Sequence, residues 1–430
     1  MSADKTTATK STEAARKVRG LVKKAYMRSQ EAKDKGNPVA YCMTVCLYDE
    51  ILLAMDIAPI WTENYAALCA VKRAADSYLK KADAEGFSPL ICSYARVGIG
   101  FDVLRHELGT MPPNAPDKGM PWPDMLLGCG AVCDPRYKWY EILAKYMNVP
   151  IFVHDVVAPP VDADIDKVRG YYIGYQVDQL TRLVEFLERQ TGRKLDYNKL
   201  NHIIDIAEET RRIWWQSYEF RRAKPCPMPV EDHFNIFVPA IFMIGTEETL
   251  NFYKELYEEL KYRAENKIGV VPNERYRLLW GGGLPPWHSM DLLNYFEEKG
   301  AVFVAEATYK IPDPVVIPSN ITHPLERIAT LAYERAVYRH KKAQARSGSP
   351  EVEFLLEQIE RFDIDGMVMH ASKSCRATTI GETHFKNLVQ EQVKIPTMIF
   401  EGDIVDMQFY SEAQTKDRID AFLEMLKPRM

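Results

Sequence analysis

Three cysteines in this chain stand where a thiolate has chemistry to do: Cys92 in LICSYARVGIG, Cys133 in MLLGCGAVCDPRYKWYEIL and Cys375 in IDGMVMHASKSCRATTIGE. Each lies at the edge of a predicted βα unit. Two of them closely follow an apolar strand-like run and precede a helical stretch, and open parallel sheets gather ligands at such strand ends. Three thiolates converging there would hold an iron–sulfur cluster with one iron left open to something other than protein. That arrangement suits electron transfer to a bound substrate.

The other cysteines carry weaker signals. Cys129 with Cys133, and Cys42 with Cys46, are spaced C-x-x-x-C, not the C-x-x-C of zinc ribbons and ferredoxins. Cys69 and Cys226 read as small buried apolar side chains. Cys375 sits in a polar loop, Ser372-Lys373-Ser374-Cys375-Arg376. There a helix N-terminus and basic neighbours are expected to lower its pKa, which suits a ligand and a nucleophile equally.

The glycine-rich WGGGLPPWHSM is neither a Walker A loop nor a dinucleotide fingerprint. It reads as a tight turn or as a loop that binds an anion or carbonyl. His288 just beyond it is a candidate proton donor. Glu401 and Asp403 follow the strand IPTMIF, and Glu63 follows IAPIW, so these carboxylates also fall at strand ends. A carboxylate so placed caps a helix or holds a basic residue more readily than it catalyses.

The elements that must position these residues alternate. VAYCMTV, IAPIWTE, DMLLGCG and PIFVHDV read as strands among helices in the first third, where NYAALCAVKRAADSYLKKADAEG has the spacing of one helix. Residues 164–266 read as almost wholly helical. Strands YRLLWGGG, AVFVAEATY, IDGMVMHAS and IPTMIFEGD then alternate with helices again. The pattern predicts an α/β fold of two doubly wound parallel-sheet domains joined by a helical segment. The expected divisions are an N-terminal polar and helical extension (1–37), a first α/β domain (38–160), the helical segment (161–270) and a second α/β domain (271–430).

Composition narrows the class. The 430 residues are 47% hydrophobic and 27% charged with a net charge of −5, so no basic excess points to nucleic acid and no acidic tail to a charged partner. No apolar run approaches the length that spans a bilayer, and the N-terminus lacks a secretory h-region. A cytoplasmic protein is expected, and its eight cysteines are expected as thiols or ligands and not as disulfides.

Taken in order, VAYCMTVCLYDEILLAMDIAPI, PLICSYARVGIG, PDMLLGCGAVCDPRYKWYEIL, RLLWGGGLPPWHSMDLLNYFEEKGAVFVAEATY, IDGMVMHASKSCRATTIGE and PTMIFEGDIVD resemble the family of 2-hydroxyacyl-CoA dehydratases and ATP-dependent benzoyl-CoA reductases. Within it the chain is similar to the larger active-site subunit of the reductases. The resemblance implies one 4Fe–4S cluster per subunit, held through Cys92, Cys133 and Cys375, with Cys129 the lesser substitute for Cys133. It also implies a homologous second active-site subunit, a separate iron–sulfur component that hydrolyses ATP and delivers electrons, and an acyl-CoA thioester as substrate. Single-electron reduction of an aryl-CoA ring to a cyclic dienoyl-CoA is the implied reaction, with Glu63, His288 and Glu401 as candidate acids. A radical 2-hydroxyacyl-CoA dehydratase, or a subunit that only relays electrons, uses the same parts.

Overall fold

The computed structural model describes residues 8–426. The chain is α/β, with two four-stranded parallel sheets. The first contains β1 (Val39–Cys42), β2 (Ala58–Trp61), β3 (Met125–Cys129) and β4 (Ile151–His154) in the order β2-β1-β3-β4. The second contains β5 (Tyr276–Gly282), β6 (Ala301–Glu306), β7 (Gly366–Ser372) and β8 (Thr397–Gly402) in the order β6-β5-β7-β8. The two halves thus repeat one layout. In each, the chain reverses its winding between the first and third strands, and the crevice beyond their carboxyl ends is where such sheets bind ligands.

The central strands are buried on both faces, which is why they read as continuous apolar runs instead of alternating ones. Every residue of the central strands β1 and β3 is buried, and so is every residue of the edge strand β6, whereas the edge strands β4 and β8 each carry an exposed position. The intervening helices do not stand apart from the sheets. The helix Ile165–Thr191 places Leu180, Leu183 and Leu187 in the first core. The next, Tyr197–Glu219, gives Leu200, Ile203 and Ile204 to the first core and Ile213 and Trp214 to the second. The early helix Glu13–Asp34 does the same, with Tyr26 in one core and Ala14, Ala15 and Val18 in the other. Burial by both cores therefore ties the halves together.

Two local departures from the periodicity matter for the site. The single helix expected over NYAALCAVKRAADSYLKKADAEG is two, Thr62–Val71 and Ala75–Ala84. Arg73 takes a positive φ of 57° between them, and the Ala74 amide donates back to the Cys69 carbonyl at 2.8 Å. The segment Pro89-Leu90-Ile91 before Cys92 is a turn, not a strand. What holds Cys92 is the helix after it, Ser93–Leu108, which is buried through most of its length. Two glycines allow that burial. A Cβ on Gly98 would lie 1.9 Å from the Trp139 ring, and one on Gly100 would lie 1.9 Å from the Tyr78 carbonyl oxygen.

Candidate metal centre at the junction of the sheets

Cys92 occupies the N-cap of the helix Ser93–Leu108, and Cys375 ends the loop after β7. Cys133 ends the loop after β3, one residue past Val132 with its φ of 74°. Residues beside each thiol are bonded to residues beside another. The Ser93 amide donates to Ser374 Oγ at 3.2 Å, and the Ser374 hydroxyl donates to Ser93 Oγ at 3.0 Å. Arg376 Nη2 donates to both carboxylate oxygens of Asp134, at 3.2 and 3.1 Å. Cys375 is thereby drawn to Cys92 on one side and to Cys133 on the other. The thiols sense one another electrostatically, since ionising Cys375 or Cys133 makes Cys92 harder to ionise.

Burial, the largest influence on each, raises the proton affinity of all three thiols, that of Cys133 to about 11. The lowered pKa expected for Cys375 is not found, because desolvation outweighs the Thr378 hydroxyl and amide that donate to it. Backbone amides also reach Cys92 and Cys133. Half-buried thiols with amide donors suit a cationic iron–sulfur centre, which would supply the positive charge that makes them thiolates. Among the described residues, no three His, Cys, Asp or Glu side chains converge on a single-ion position.

A buried ion holds each thiol loop. In the first half Arg136, 4% exposed, donates to the Ala131 carbonyl at 3.1 Å, to the Thr44 carbonyl and to Cys46 Sγ at 3.4 Å. Its counterion is Glu63, at 3.1 Å. Glu63 Oε2 also accepts from the Thr44 amide at 3.0 Å and the Thr44 hydroxyl at 2.8 Å. The Glu63 charge is among the causes that raise Cys133, so this carboxylate stands beside the site. In the second half Asp403 is fully buried. It accepts from the amides of Ser374, Val405 and Asp406, each at 3.0 Å, and from the Ser372 hydroxyl at 3.2 Å. These donors hold its carboxyl below the ordinary value despite burial.

The other two candidate acids lie elsewhere. His288 is 3% exposed, its Nε2 lies 2.9 Å from the Asp403 carbonyl and its Nδ1 2.7 Å from Ser289 Oγ. Burial lowers its pKa, so a neutral ring braces the Asp403 loop. Glu401 lies on the exposed edge strand, where Lys373 donates to it at 2.8 Å and lowers its pKa.

The local cysteine pairs also rearrange. Cys46, whose thiol donates to the Thr44 carbonyl at 3.2 Å, is the largest influence lowering the Cys129 pKa, and Cys42, Cys69 and Cys226 are fully buried. The triple glycine has a packing reason. Gly283 takes φ 76°, and a Cβ there would sit 1.9 Å from the His370 carbonyl oxygen.

Nothing in the spacing of residues points to Tyr94 and Tyr309, which influence each other's ionisation across the halves; the Trp287 indole N–H donates to Tyr94. Tyr309 senses both Glu63 and Cys375, and its φ of 57° is a conformation that nothing in ATYKIPDP signals. Glu382, in the first turn of the helix Glu382–Val393, is a further residue that sequence reasoning missed. The available signal was a Gly-Glu pair opening a helix shortly after the Cys375 loop.

The fold and site thus define a two-lobed α/β protein with a thiol-lined junction at the switch points of its sheets. Comparison with known proteins narrows this class. The family described as 2-hydroxyglutaryl-CoA dehydratase, D-component, matches residues 44–426, and the chain belongs to that family. It is 26% identical to the (R)-phenyllactyl-CoA dehydratase alpha subunit of Clostridium sporogenes over 92% of this chain and 91% of that one. It is also 26% identical to the lactoyl-CoA dehydratase subunit alpha of Anaerotignum propionicum, over 95% of each. A benzoyl-CoA reductase subunit of Thauera aromatica is 25% identical over 93% of this chain and 91% of its own length. Relatives of both reaction types lie at the same distance, and all three are subunits of enzymes named for CoA thioesters. No helix among the described residues is long and apolar enough to cross a membrane.

Proposed function

We propose that this chain is the iron–sulfur subunit of an ATP-dependent benzoyl-CoA reductase, in which Cys92, Cys133 and Cys375 hold a 4Fe–4S cluster with one open iron. The observation that carries the reading is the interlocking of residues beside the three thiols, Ser93 with Ser374 and Asp134 with Arg376. When bound, such a cluster supplies low-potential single electrons, and its open iron a Lewis-acid position. The electrons come from a separate ATP-hydrolysing iron–sulfur component, and a homologous second subunit completes a cytoplasmic complex.

An aryl ring resists its first electron because the radical anion forfeits aromaticity. A conjugated thioester spreads that charge onto its carbonyl, which is why a CoA ester is the suitable substrate. Two electrons and two protons convert the ring to the cyclic diene. This chain's residues fix the thiol loops through Arg136 and Asp403 and hold Glu63 beside Cys133. Of the three candidate acids, Glu63 is the one so placed, while His288 and Glu401 serve the scaffold and the surface.

A second reading, a radical 2-hydroxyacyl-CoA dehydratase, is favoured by the names of the relatives. There the electron is recycled after hydroxide leaves. The test is anaerobic purification with the partner subunit, followed by iron and sulfide determination and turnover with aromatic and 2-hydroxyacyl thioesters. Ring reduction requires ATP in proportion to product, whereas dehydration requires it only catalytically. A well-folded complex without iron would defeat both readings.

A further inference from the structure

Several buried carboxylates are satisfied: Asp403 by three amides and a hydroxyl, Asp406 by Arg96 at 2.9 Å, Glu50 by Arg211 at 2.6 Å. Glu382 is the exception nearest the thiols. It is 2% exposed, and neither carboxyl oxygen has a hydrogen-bond partner among the described residues. A buried carboxylate ion without donors is costly, so such a group keeps its proton or awaits a ligand.

Its surroundings supply no charge to change that. Arg376 is engaged by Asp134, and Lys373 by Glu401. On the packed helix Pro350–Phe362, Glu353 is engaged by Arg346. Burial alone sets its proton affinity, at a pKa of about 7. The carboxyl faces the glycine loop at the end of β5: a Cβ on Gly283 would lie 3.1 Å from Oε1, and one on Gly282 3.8 Å. Its ionisation is felt by Cys375. It thus lies beside the crevice between β5 and β7, at the second sheet's switch point.

We propose that Glu382 is the acid that delivers a proton to the bound thioester substrate. The inference rests on the reductive reading above. The donor component supplies an electron to the acyl-CoA, the O–H bond of Glu382 breaks, and a C–H bond forms on the ring. The carboxylate left behind regains its proton from water before the second electron arrives. A carboxyl kept neutral by an apolar, unpartnered site is suited to this role at neutral pH.

The test uses the complex with its partner subunit, wild type against Glu382→Gln and Glu382→Asp. Infrared pH titration reads the carboxyl directly, and turnover with aromatic acyl-CoA reads the reaction. Expected are a protonated-carboxyl band that titrates near neutral pH and is missing from Glu382→Gln, with kcat falling roughly 10²–10⁴-fold while iron content and KM hold. Glu382→Asp should restore part of the rate with a displaced alkaline limb. Absence of that band in the wild type, or a Glu382→Gln complex with wild-type kcat and pH profile, would overturn the proposal. A wild type that turns over 2-hydroxyacyl thioesters alone would instead overturn the reductive reading and the ring-protonation step with it, with the band still reporting whether Glu382 holds a proton.

Discussion

The two sheets share a strand order but hold their thiol loops by opposite means. In the first half a buried guanidinium, Arg136, gathers the carbonyls of Thr44 and Ala131. In the second a buried carboxylate, Asp403, gathers the amides of Ser374, Val405 and Asp406. The backbone follows suit. The first half's loops turn through left-handed Val45, Leu47 and Val132, conformations that cost about 1–3 kcal/mol each and persist only when the surroundings enforce them. The second half turns through Gly283 and, after β6, through left-handed Tyr309. One layout therefore tolerates either charge as the anchor, provided that each ion meets the backbone groups it can satisfy.

Five sets of variants would break or sharpen that contrast. The largest effect is expected from the thiols. Cys92→Ala, Cys133→Ala and Cys375→Ala should each abolish activity and deplete iron, measured per chain after anaerobic purification. Iron lost only with Cys375→Ala would mean that the halves do not share one centre.

Next are the two acids of the second half, which respond to pH in opposite senses. Asp403→Asn should cost about 3 kcal/mol by denaturant unfolding at neutral pH. Its carboxyl is held below its ordinary 3.8, so the stability it lends is present above that value. The gap between wild type and variant should therefore close as the pH falls below 3.8.

Glu382 has a folded pKa raised from 4.5 to about 7. Folding is then most favoured below 4.5, and the wild type loses stability as pH rises from there towards 7. Glu382→Gln, which carries no such ionisation, should gain about 3 kcal/mol on the wild type between those limits. A gap that stays flat with pH would show that Glu382 is ionised throughout.

Glu63→Gln comes fourth. It strands the Arg136 charge among carbonyls and should cost about 2 kcal/mol, together with a fall in the rate of turnover. A variant as stable as the wild type would shift the anchoring of the first loop from ion pair to carbonyl contacts alone. Smallest is Glu401→Gln, which removes a solvent-exposed partner of Lys373. Such pairs contribute little, so activity should stay within about twofold; a larger loss would return Glu401 to the site.

Much of the fold was legible because buried strands and amphipathic helices carry their own periods. VAYC, MLLGC and the GMVM that opens β7 are continuous apolar runs since both faces are covered. The break at Arg73 was not, because nothing about an arginine announces a positive φ. The candidate site was legible in part. Cys133 and Cys375 each lie just beyond a buried strand, whereas Cys92 is fixed by glycines 98 and 100, whose meaning depends on Trp139 and Tyr78 across the core. Among the acids, Glu63 and Glu401 follow strands and His288 follows the glycine loop, and their different fates come from neighbours remote in the chain.

The sequence by itself determined the two α/β halves, the helical stretch between them and the three cysteines worth attention, since hydrophobic period and residue type are local properties. The tertiary structure decided which groups are charged and which face one another. Burial pushed Cys375 up where its loop alone would have brought it down. Folding set Cys46 where it lowers the Cys129 pKa, and left Glu382 without a hydrogen-bond partner among the described residues. Ionisation depends on desolvation and on charges brought close by folding, and neither is written in the spacing of residues along a chain.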